Sequence, residues 1–230
     1  MGLIEFFQSA LISFARINHS AQAKRLLLTA NIPVVETWDI TPTPLDVVVG
    51  FSHQSVGKAV AEYLLSTEHR RIGILSADDH RAQLRQRAFL ETLEGKGVTG
   101  AAISIVPVPT SFLAGRVGMA KLLDGGFTEG AVFCSSDTLA QGALTEVQCR
   151  GLSIPDRIAM VGFGDQPFAA HTYPALTTIK FDRALIGRKA AEALLARFND
   201  EPVLQKVVDV GFQLIERQTT LKNHARSSSE

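Results

Sequence analysis

Residues 130–165 read GAVFCSSDTLAQGALTEVQCRGLSIPDRIAMVGFGD, and this stretch decides the fold. Residues 130–134 form an apolar run that is typical of a buried strand, and residues 138–150 have the apolar spacing of a helix. A second apolar run, at residues 158–161, ends in a glycine-rich turn. A strand, a helix and another strand in this order predict two parallel strands joined by a helical crossover, since a tight turn cannot join parallel strands.

The same alternation extends along most of the chain. The pattern predicts strands at residues 32–35, 45–50, 71–75, 102–108, 130–134, 158–161, 176–179 and 207–215, and helices at residues 20–29, 55–65, 81–94, 112–123, 138–150 and 182–198. Short β-branched runs between helices are typical of parallel sheets that are buried on both faces. The sequence therefore predicts an α/β fold with parallel sheets.

Charge and composition argue against several classes of protein. Lys plus Arg and Asp plus Glu both total 23, whereas a surface that binds nucleic acid carries a basic excess. Residues 1–18 include an apolar stretch, but no basic region precedes it, and no window supplies the roughly 20 apolar residues of a membrane helix. We expect an amphipathic or irregular lead-in here, with no signal peptide and no membrane partner.

The two cysteines indicate a reducing compartment. Cys134 and Cys149 form no C-x-x-C pair and no disulfide framework. Cys134 ends an apolar run, so we expect a buried free thiol. A cytoplasmic location fits this usage.

Polar and aromatic side chains gather after the predicted strands. In open α/β sheets, ligands bind outside the carboxyl ends of the strands. The residues at those ends are 36–39, 51–53, 76–79, 135–137 and 163–165. They are rich in Ser, Asp, His and aromatic side chains, which hydrogen-bond hydroxyl groups and stack on apolar ring faces. The sequence therefore predicts a ligand pocket at this edge.

Motifs for catalysis and for nucleotide binding are missing from the sequence. The chain has no G-x-x-x-x-G-K-[ST] and no G-x-S-x-G, and Gly162-Phe163-Gly164 lacks a third glycine at the dinucleotide spacing. The six histidines form no local pair with metal-ligand spacing. We expect no cofactor and no metal. A small enzyme that uses Asp137 and Asp165 as an acid/base pair stays an alternative, because sequence does not give their separation.

Asp137 and Asp165 each have a structural interpretation as well. Asp137 directly precedes the helix predicted at residues 138–150, and Asp165 lies two residues before Pro167, which suits the first turn of a helix. Either carboxylate could cap a helix and compensate its dipole. Capping and ligand contact fit the sequence equally well.

Arg81, Arg85 and Arg87 are the most concentrated positive charges. Residues 81 and 85 share a helix face, because residues four apart are neighbours. An arginine that points from a first turn into a cleft suits a carboxylate or vicinal hydroxyls, and we favour this role for Arg85. For Arg81 and Arg87 we favour a solvated face paired with the aspartates at 78 and 79.

Three aromatic residues near strand ends are ambiguous. Trp38 is the only tryptophan and lies beside Asp39. Trp38, Phe51 and Phe181 suit core packing nearly as well as stacking on a sugar. The sequence leaves both interpretations open.

Several segments resemble, in order, the effector-binding domain of LacI/GalR-type bacterial transcriptional regulators. The resemblance covers about residues 19–220, and its most specific part is SDTLAQGAL…GLSIPDRIAMVGFGD…PALTTI. The forms IPVVETWD, VGFS and GFGD…AAHTYPALTTI resemble the gluconate-operon repressor branch. This branch implies a small-molecule effector that is a sugar acid, such as gluconate or 2-ketogluconate.

The resemblance implies a two-lobed fold like that of the type I periplasmic sugar-binding proteins. Three crossovers would join the lobes, near residues 50–52, 180–183 and 200–207. The implied division is an atypical lead-in at 1–18, a partial N-terminal lobe at 19–50 plus 182–204, a C-terminal lobe at 51–180 plus 205–220, and a flexible tail at 221–230. A homodimer is implied too.

The resemblance also assigns effector contacts. Phe51 matches the aromatic wall, and Arg85 matches the arginine that grips the effector's oxygens. Ser136 and Asp137 match a polar pair in the family. Asp165 follows a position where many relatives carry a carboxylate, Phe181 matches a cleft residue, and Trp38 belongs to the less well aligned first wall.

Two of these positions depart from the family pattern. Ser136 replaces the more usual Asn, and Gly164 replaces the more usual first Asp. Both changes reduce hydrogen-bonding capacity, which fits an arginine-bound acid better than a neutral hexose.

Regulators of this family begin with a helix-turn-helix headpiece, a hinge helix and the first strands of the N-terminal lobe. The family-like region here begins near His19, so we expect an incomplete N-terminal lobe. As it stands, the chain should not bind an operator, and operator DNA is a partner only in an intact homologue with a headpiece. The implied function is the effector-binding and dimerisation portion of a LacI-type repressor. A transport-type sugar-binding protein, which should carry a secretion signal, is the other alternative.

Overall fold

The chain alternates strands and helices, and the computed structural model describes residues 11–14, 21–29, 32–67, 69–199, 201–203 and 205–221. The strands are β1 (Leu11–Phe14), β2 (Val34–Thr37), β3 (Val47–Gly50), β4 (Ile72–Ala77), β5 (Ala102–Val106), β6 (Gly130–Cys134), β7 (Ile158–Phe163), β8 (Thr177–Lys180), β9 (Val207–Asp209) and β10 (Gln213–Ile215). The helices are α1 (Ala21–Thr29), α2 (His53–Ser66), α3 (His80–Gly95), α4 (Phe112–Asp124), α5 (Asp137–Cys149) and α6 (Arg183–Phe198), with a short 3-10 helix at Pro167–His171.

These elements belong to two compact units. The first unit comprises Met1–Ser52 and Phe181–Phe212, and the second comprises His53–Lys180 and Gln213–Glu230. The predicted α/β class with parallel sheets is confirmed. Residues 205–212, which the sequence analysis placed in the C-terminal lobe, lie in the first unit because β9 pairs with β3.

The first unit is built on a parallel sheet in the order β1-β2-β3-β9. Every residue of β2 and β3 is buried, as expected for central parallel strands covered on both faces. Helix α6 packs against both strands. We expected an amphipathic or irregular lead-in over residues 1–18, but Leu11–Phe14 form a strand of this sheet. Residues 1–10 and 15–18 of the lead-in, and residues 222–230 of the tail, lie outside the described residues.

The second unit has a six-stranded sheet in the order β10-β8-β7-β6-β4-β5. All neighbouring strands are parallel except β10, which runs antiparallel to β8. Strands β4 and β6 are buried along their whole length. Because they pair in parallel, their carboxyl ends lie side by side. Their side chains pack with α4 and α5 in one apolar cluster that includes Leu75, Val132 and Met119.

The strand predicted at residues 207–215 is two strands in two sheets. β9 continues the first unit's sheet, whereas β10 is the edge strand of the second unit's sheet. Between them, Gly211 has a φ of 68° and its N–H donates to the carboxylate of Asp209 at 2.8 Å. A glycine in this left-handed region turns the chain, and an apolar pattern alone does not reveal such a turn.

Helices α4 and α5 pack with their backbones in contact. A Cβ on Gly142 would overlap the carbonyl oxygen of Phe112, and one on Gly115 would overlap that of Leu139. Glu146 of α5 accepts hydrogen bonds from Arg116 of α4 at 2.9 and 3.1 Å. These bonds are the main reason that the pKa of the Glu146 carboxyl is lowered, so it stays ionised and ties the helices together.

The residues after β10 are bonded to two neighbouring strands of the second unit. The hydroxyl of Thr219 donates to the carbonyl oxygen of Met160 at 2.7 Å and accepts from the backbone N–H of Thr177 at 2.8 Å. The N–H of Arg217 donates to the hydroxyl of Thr177 at 2.8 Å. These bonds anchor the chain's last described segment to β7 and β8. Among the described residues, no helix has the length and apolarity to cross a membrane.

Candidate functional site

Arg85 is a buried cation at the carboxyl ends of the second unit's strands. Its side chain rises from the first turns of α3, yet the residue is only 4% exposed. Its Nη1 lies 2.8 Å from Nδ1 of His53, and its Nη2 donates to the carbonyl oxygen of Ser135 at 3.1 Å. The guanidinium carbon stands 3.9 Å from the centre of the Phe163 ring. These three contacts hold the charge next to the ends of β6 and β7.

The crossing of α2 and α3 brings His53 to Arg85. A Cβ on Gly57 would overlap the carbonyl oxygen of Arg85 and lie 3.0 Å from the N–H nitrogen of Phe89. The two helix backbones therefore touch at this glycine. His53 precedes Gly57 by one turn and lies on the same face of α2. The spacing H-x-x-x-G places the imidazole against the guanidinium.

Asp137 is a buried anion that joins three segments of this edge. Its Oδ1 accepts from the hydroxyl of Thr178 at 2.6 Å, and its Oδ2 accepts from the N–H of Gln166 at 2.7 Å. Capping of α5 by Asp137, one of the two sequence interpretations, is wrong. Ser136 is the N-cap, and its hydroxyl accepts from the N–H of Leu139 at 3.3 Å.

Cys134 lies directly below this edge as a buried free thiol, as predicted. Burial, and to a lesser degree the negative charge of Asp137, raise the pKa of the thiol. A thiol in this state is not a nucleophile, because the thiolate is the reactive form.

Asp165 is paired with two cations. Its Oδ1 accepts from Arg217 at 2.8 Å, and its Oδ2 lies 3.8 Å from the ammonium of Lys180. Its φ of 47° follows a φ of 129° at Gly164, so the turn after β7 passes through left-handed conformations. Capping by Asp165 is wrong too, because Gln166 is the N-cap residue of the short helix, and among the described residues no side chain forms a cap bond there.

The aromatic candidates of the first unit form one cluster. Phe51 and Phe181 are stacked with ring centres 4.5 Å apart, and Trp38 meets Phe181 edge-on at 5.6 Å. Arg183 covers the Phe181 ring at 4.8 Å. Phe51 and Phe181 are buried, whereas Trp38 is half-buried and has a φ of 80°, which is strained for a bulky residue. Gly50 permits this turn, since a Cβ there would lie 2.7 Å from the nitrogen of Asp39.

The structure groups the predicted residues by unit. Arg85, Ser136, Asp137 and Asp165 lie together at the carboxyl ends of the second unit's sheet. The cluster of Trp38, Phe51 and Phe181 belongs to the first unit. The second unit's group also contains His53 and Phe163, which lie in the predicted pocket ranges 51–53 and 163–165 but were not assigned effector contacts, and Thr178, which was not predicted. The spacing of His53 to Gly57 could have indicated the contact of His53 with Arg85. No local sequence pattern predicts the contact of Thr178 with Asp137.

The carboxylates of Asp137 and Asp165 at this edge are bound into the local structure. Within the described ranges, no group of three or more His, Cys, Asp or Glu side chains is placed to hold a metal ion. Asp137 accepts two short hydrogen bonds, and Asp165 is neutralised by Arg217 and Lys180. Both carboxylates therefore work as structural anchors of the turn after β7.

Comparisons with known proteins place the chain in a family. A family model described as a periplasmic binding protein-like domain matches residues 61–220. The crystal structure of the transcription regulator GntR from Chromobacterium violaceum is similar, with 32% identity and a TM-score of 0.83, over 92% of this chain and 77% of that one. The chain belongs to the LacI/GalR family.

Other members of the LacI/GalR family support the assignment. The HTH-type transcriptional regulator GntR of Pseudomonas aeruginosa (PAO1) is 37% identical over 201 residues, which are 86% of this chain and 58% of that regulator. A LacI-family regulator from Silicibacter pomeroyi has a TM-score of 0.85 at 28% identity, covering 93% of this chain and 64% of that one. The chain thus spans somewhat more than half the length of the curated relatives it matches, and it covers their effector-binding domain. These relatives are transcriptional regulators, not enzymes.

Proposed function

We propose that this chain binds a sugar acid, such as gluconate or 2-ketogluconate, as the effector-binding and dimerisation portion of a LacI-type transcriptional repressor. The observation that carries the proposal is the buried guanidinium of Arg85 at the carboxyl ends of β6 and β7. A guanidinium carries five N–H donors in a planar fork, which matches a carboxylate in a bidentate geometry. Relatives named GntR at 37% and 32% identity agree with the sugar-acid branch.

The charges around Arg85 suit an acid. Asp165, the other carboxylate at the turn after β7, is paired with Arg217 and Lys180, so it does not leave an uncompensated negative charge. Asp137 accepts from the hydroxyl of Thr178 with Oδ1 and from the N–H of Gln166 with Oδ2, so its carboxylate is held in a fixed orientation. We assign hydroxyl contacts of the effector to Ser136, Asp137 and Asp165. For Trp38, Phe51 and Phe181 of the first unit, stacking on a sugar stays a prediction from the sequence.

In the whole regulator, effector binding would change operator affinity by linkage. A ligand shifts an equilibrium only as far as its affinities for the two states differ, and the effect is reciprocal. The proposal places the protein in the cytoplasm, where such a regulator meets its operator. It also makes the chain a binding protein and not an enzyme, since Asp137 and Asp165 are both held as anchors.

Thermal unfolding with and without ligand tests the proposal. Gluconate or 2-ketogluconate at about a hundred times its dissociation constant should stabilise the protein by roughly 2.7 kcal/mol, which raises the melting temperature by about 5–10 °C. Glucose at the same concentration is the matched neutral control and should have little effect. Stabilisation by neutral hexoses alone would contradict a sugar-acid effector.

LacI-family regulators dimerise, and an apolar stripe on α4 is the surface we propose for a homodimer. Leu113 and Val117 lie one turn apart on the outer face of α4 and are 67% and 46% exposed, and the neighbouring Phe112 is 41% exposed. Adjacent exposed apolar side chains are typical of interaction surfaces. We propose that a second copy of this chain covers the stripe.

Light scattering after size exclusion tests this surface. The wild type should have twice the mass of the 24.9-kDa chain, and Leu113→Asp should shift it towards the monomer, because a buried unpaired carboxylate opposes association. Leu221→Asp is a control, since Leu221 is also exposed in the second unit but lies outside the stripe. A Leu113→Asp variant that stays dimeric would rule out the stripe.

A further inference from the structure

The contact between Arg85 and His53 determines where the imidazole carries its proton. The two atoms, Nη1 of Arg85 and Nδ1 of His53, are 2.8 Å apart. A guanidinium has donors only and stays protonated in proteins, so Arg85 must donate and Nδ1 must accept. A ring nitrogen that accepts carries no proton, so a neutral His53 holds its proton on Nε2. Arginine therefore selects one tautomer of this histidine.

Packing holds both side chains in place. His53 is the first residue of α2 and is 2% exposed. The backbone contact of Gly57 with Arg85 fixes the separation of α2 and α3 one turn away. Phe163 lies against both groups, with its ring centre 6.0 Å from that of His53 and 3.9 Å from the guanidinium carbon. The ring of Phe163 and the acceptor of His53 thus constrain the guanidinium from two directions.

We infer that His53 is a positioning residue for effector binding, which holds the Arg85 guanidinium in its binding orientation by accepting from Nη1 as the Nε2-protonated tautomer. The inference rests on the proposed role of Arg85 as the partner of an anionic effector. Arginine has one of the largest side-chain entropies, and a ligand that must order it loses affinity. A guanidinium that is already oriented avoids this cost. If His53 offered no acceptor, the Nη1–H group of Arg85 would stay buried without its hydrogen bond to Nδ1.

Two substitutions distinguish the effect of the hydrogen-bond acceptor on binding from the effect of side-chain volume. His53→Asn keeps an oxygen acceptor at about the position of Nδ1, whereas His53→Leu keeps similar volume without an acceptor. Loss of a hydrogen bond to a charged group should weaken gluconate binding by about tenfold to a hundredfold in His53→Leu. His53→Asn should stay within about threefold of the wild type. Titration calorimetry gives the affinities, and melting temperatures without ligand show how far each variant is destabilised.

A spectroscopic measurement tests the tautomer without any ligand. In protein labelled with 15N-histidine, His53 should show an unprotonated Nδ1 and a protonated Nε2, and this preference should weaken in Arg85→Leu. A protonated Nδ1 in the wild type would overturn the inference. So would equal affinities of the wild type, His53→Leu and His53→Asn for gluconate, and the proposed function would then still stand. If the wild type bound no sugar acid, the proposed function would fail, and the role of His53 in effector binding would fail with it.

Discussion

Replacing Arg85 by leucine is expected to weaken gluconate binding by about a hundredfold or more, because truncating one side of a buried charge pair costs 2–5 kcal/mol or more. Leucine removes the positive charge and the planar donors while keeping an apolar contact with Phe163. The carbonyl of Ser135 and Nδ1 of His53 lose a donor in the same variant. Titration calorimetry with gluconate measures the effect.

Two controls accompany Arg85→Leu. Arg87 lies on the same helix but is exposed, so Arg87→Leu should bind gluconate with nearly unchanged affinity. Arg85→Lys keeps the charge but loses the forked donors, so its affinity should fall between those of the wild type and Arg85→Leu. Full affinity in Arg85→Leu would remove Arg85 from the site.

Adding one methyl group at Gly142 is expected to destabilise the protein by about 3 kcal/mol or more, at the upper end of what overpacking costs. A Cβ at this position overlaps the carbonyl oxygen of Phe112 and lies 2.8 Å from the nitrogen of Arg116. Both atoms belong to the backbone of α4, so no side chain can rotate away. The helices must move apart, and the contacts of the apolar cluster beneath them weaken.

Gly187→Ala is the matched control for Gly142→Ala. Gly187 is also inside a helix, but no described atom lies within 4 Å of a Cβ built there. Alanine has the higher helix propensity, so this variant should be more stable by roughly 0.5–1 kcal/mol. Denaturant unfolding of both variants gives the two free energies. A Gly142→Ala variant as stable as the wild type would mean that α4 and α5 are not in backbone contact.

The sequence predicted the sheet of the second unit well, because its central strands are continuous apolar runs between amphipathic helices. Such runs arise when both faces of a strand are buried, as in β4 and β6. The prediction was wrong at residues 207–215, where one strand was predicted and two are present. The left-handed turn at Gly211, which separates them, was not predicted. The prediction also missed β1, because residues 1–18 show no hydrophobic periodicity that would indicate a strand of four residues.

The candidate site was only partly accessible from sequence. Arg85 could be proposed as an effector contact because its position in the first turns of a helix is local information. Capping of α5 by Asp137 was one of two open interpretations, and Ser136 holds the cap, since the choice between neighbouring residues depends on one residue of register. The bond from Thr178 to Asp137 joins residues 41 positions apart, and no local pattern encodes it. His53 lay in the predicted pocket range 51–53, but its contact with Arg85 depends on the crossing of two helices and could not be predicted.

The anchoring of residues 213–221 has a consequence for synthesis on the ribosome. The second unit begins at His53, but its edge strand β10 and the bonds made by Arg217 and Thr219 come from the end of the described chain. The first unit receives β9 only a few residues earlier. Nascent chains therefore leave the exit tunnel with both sheets one strand short. Completion of both units is deferred until residues 207–221 have been synthesised, and until then each nascent sheet presents an unpaired edge that chaperones can recognise.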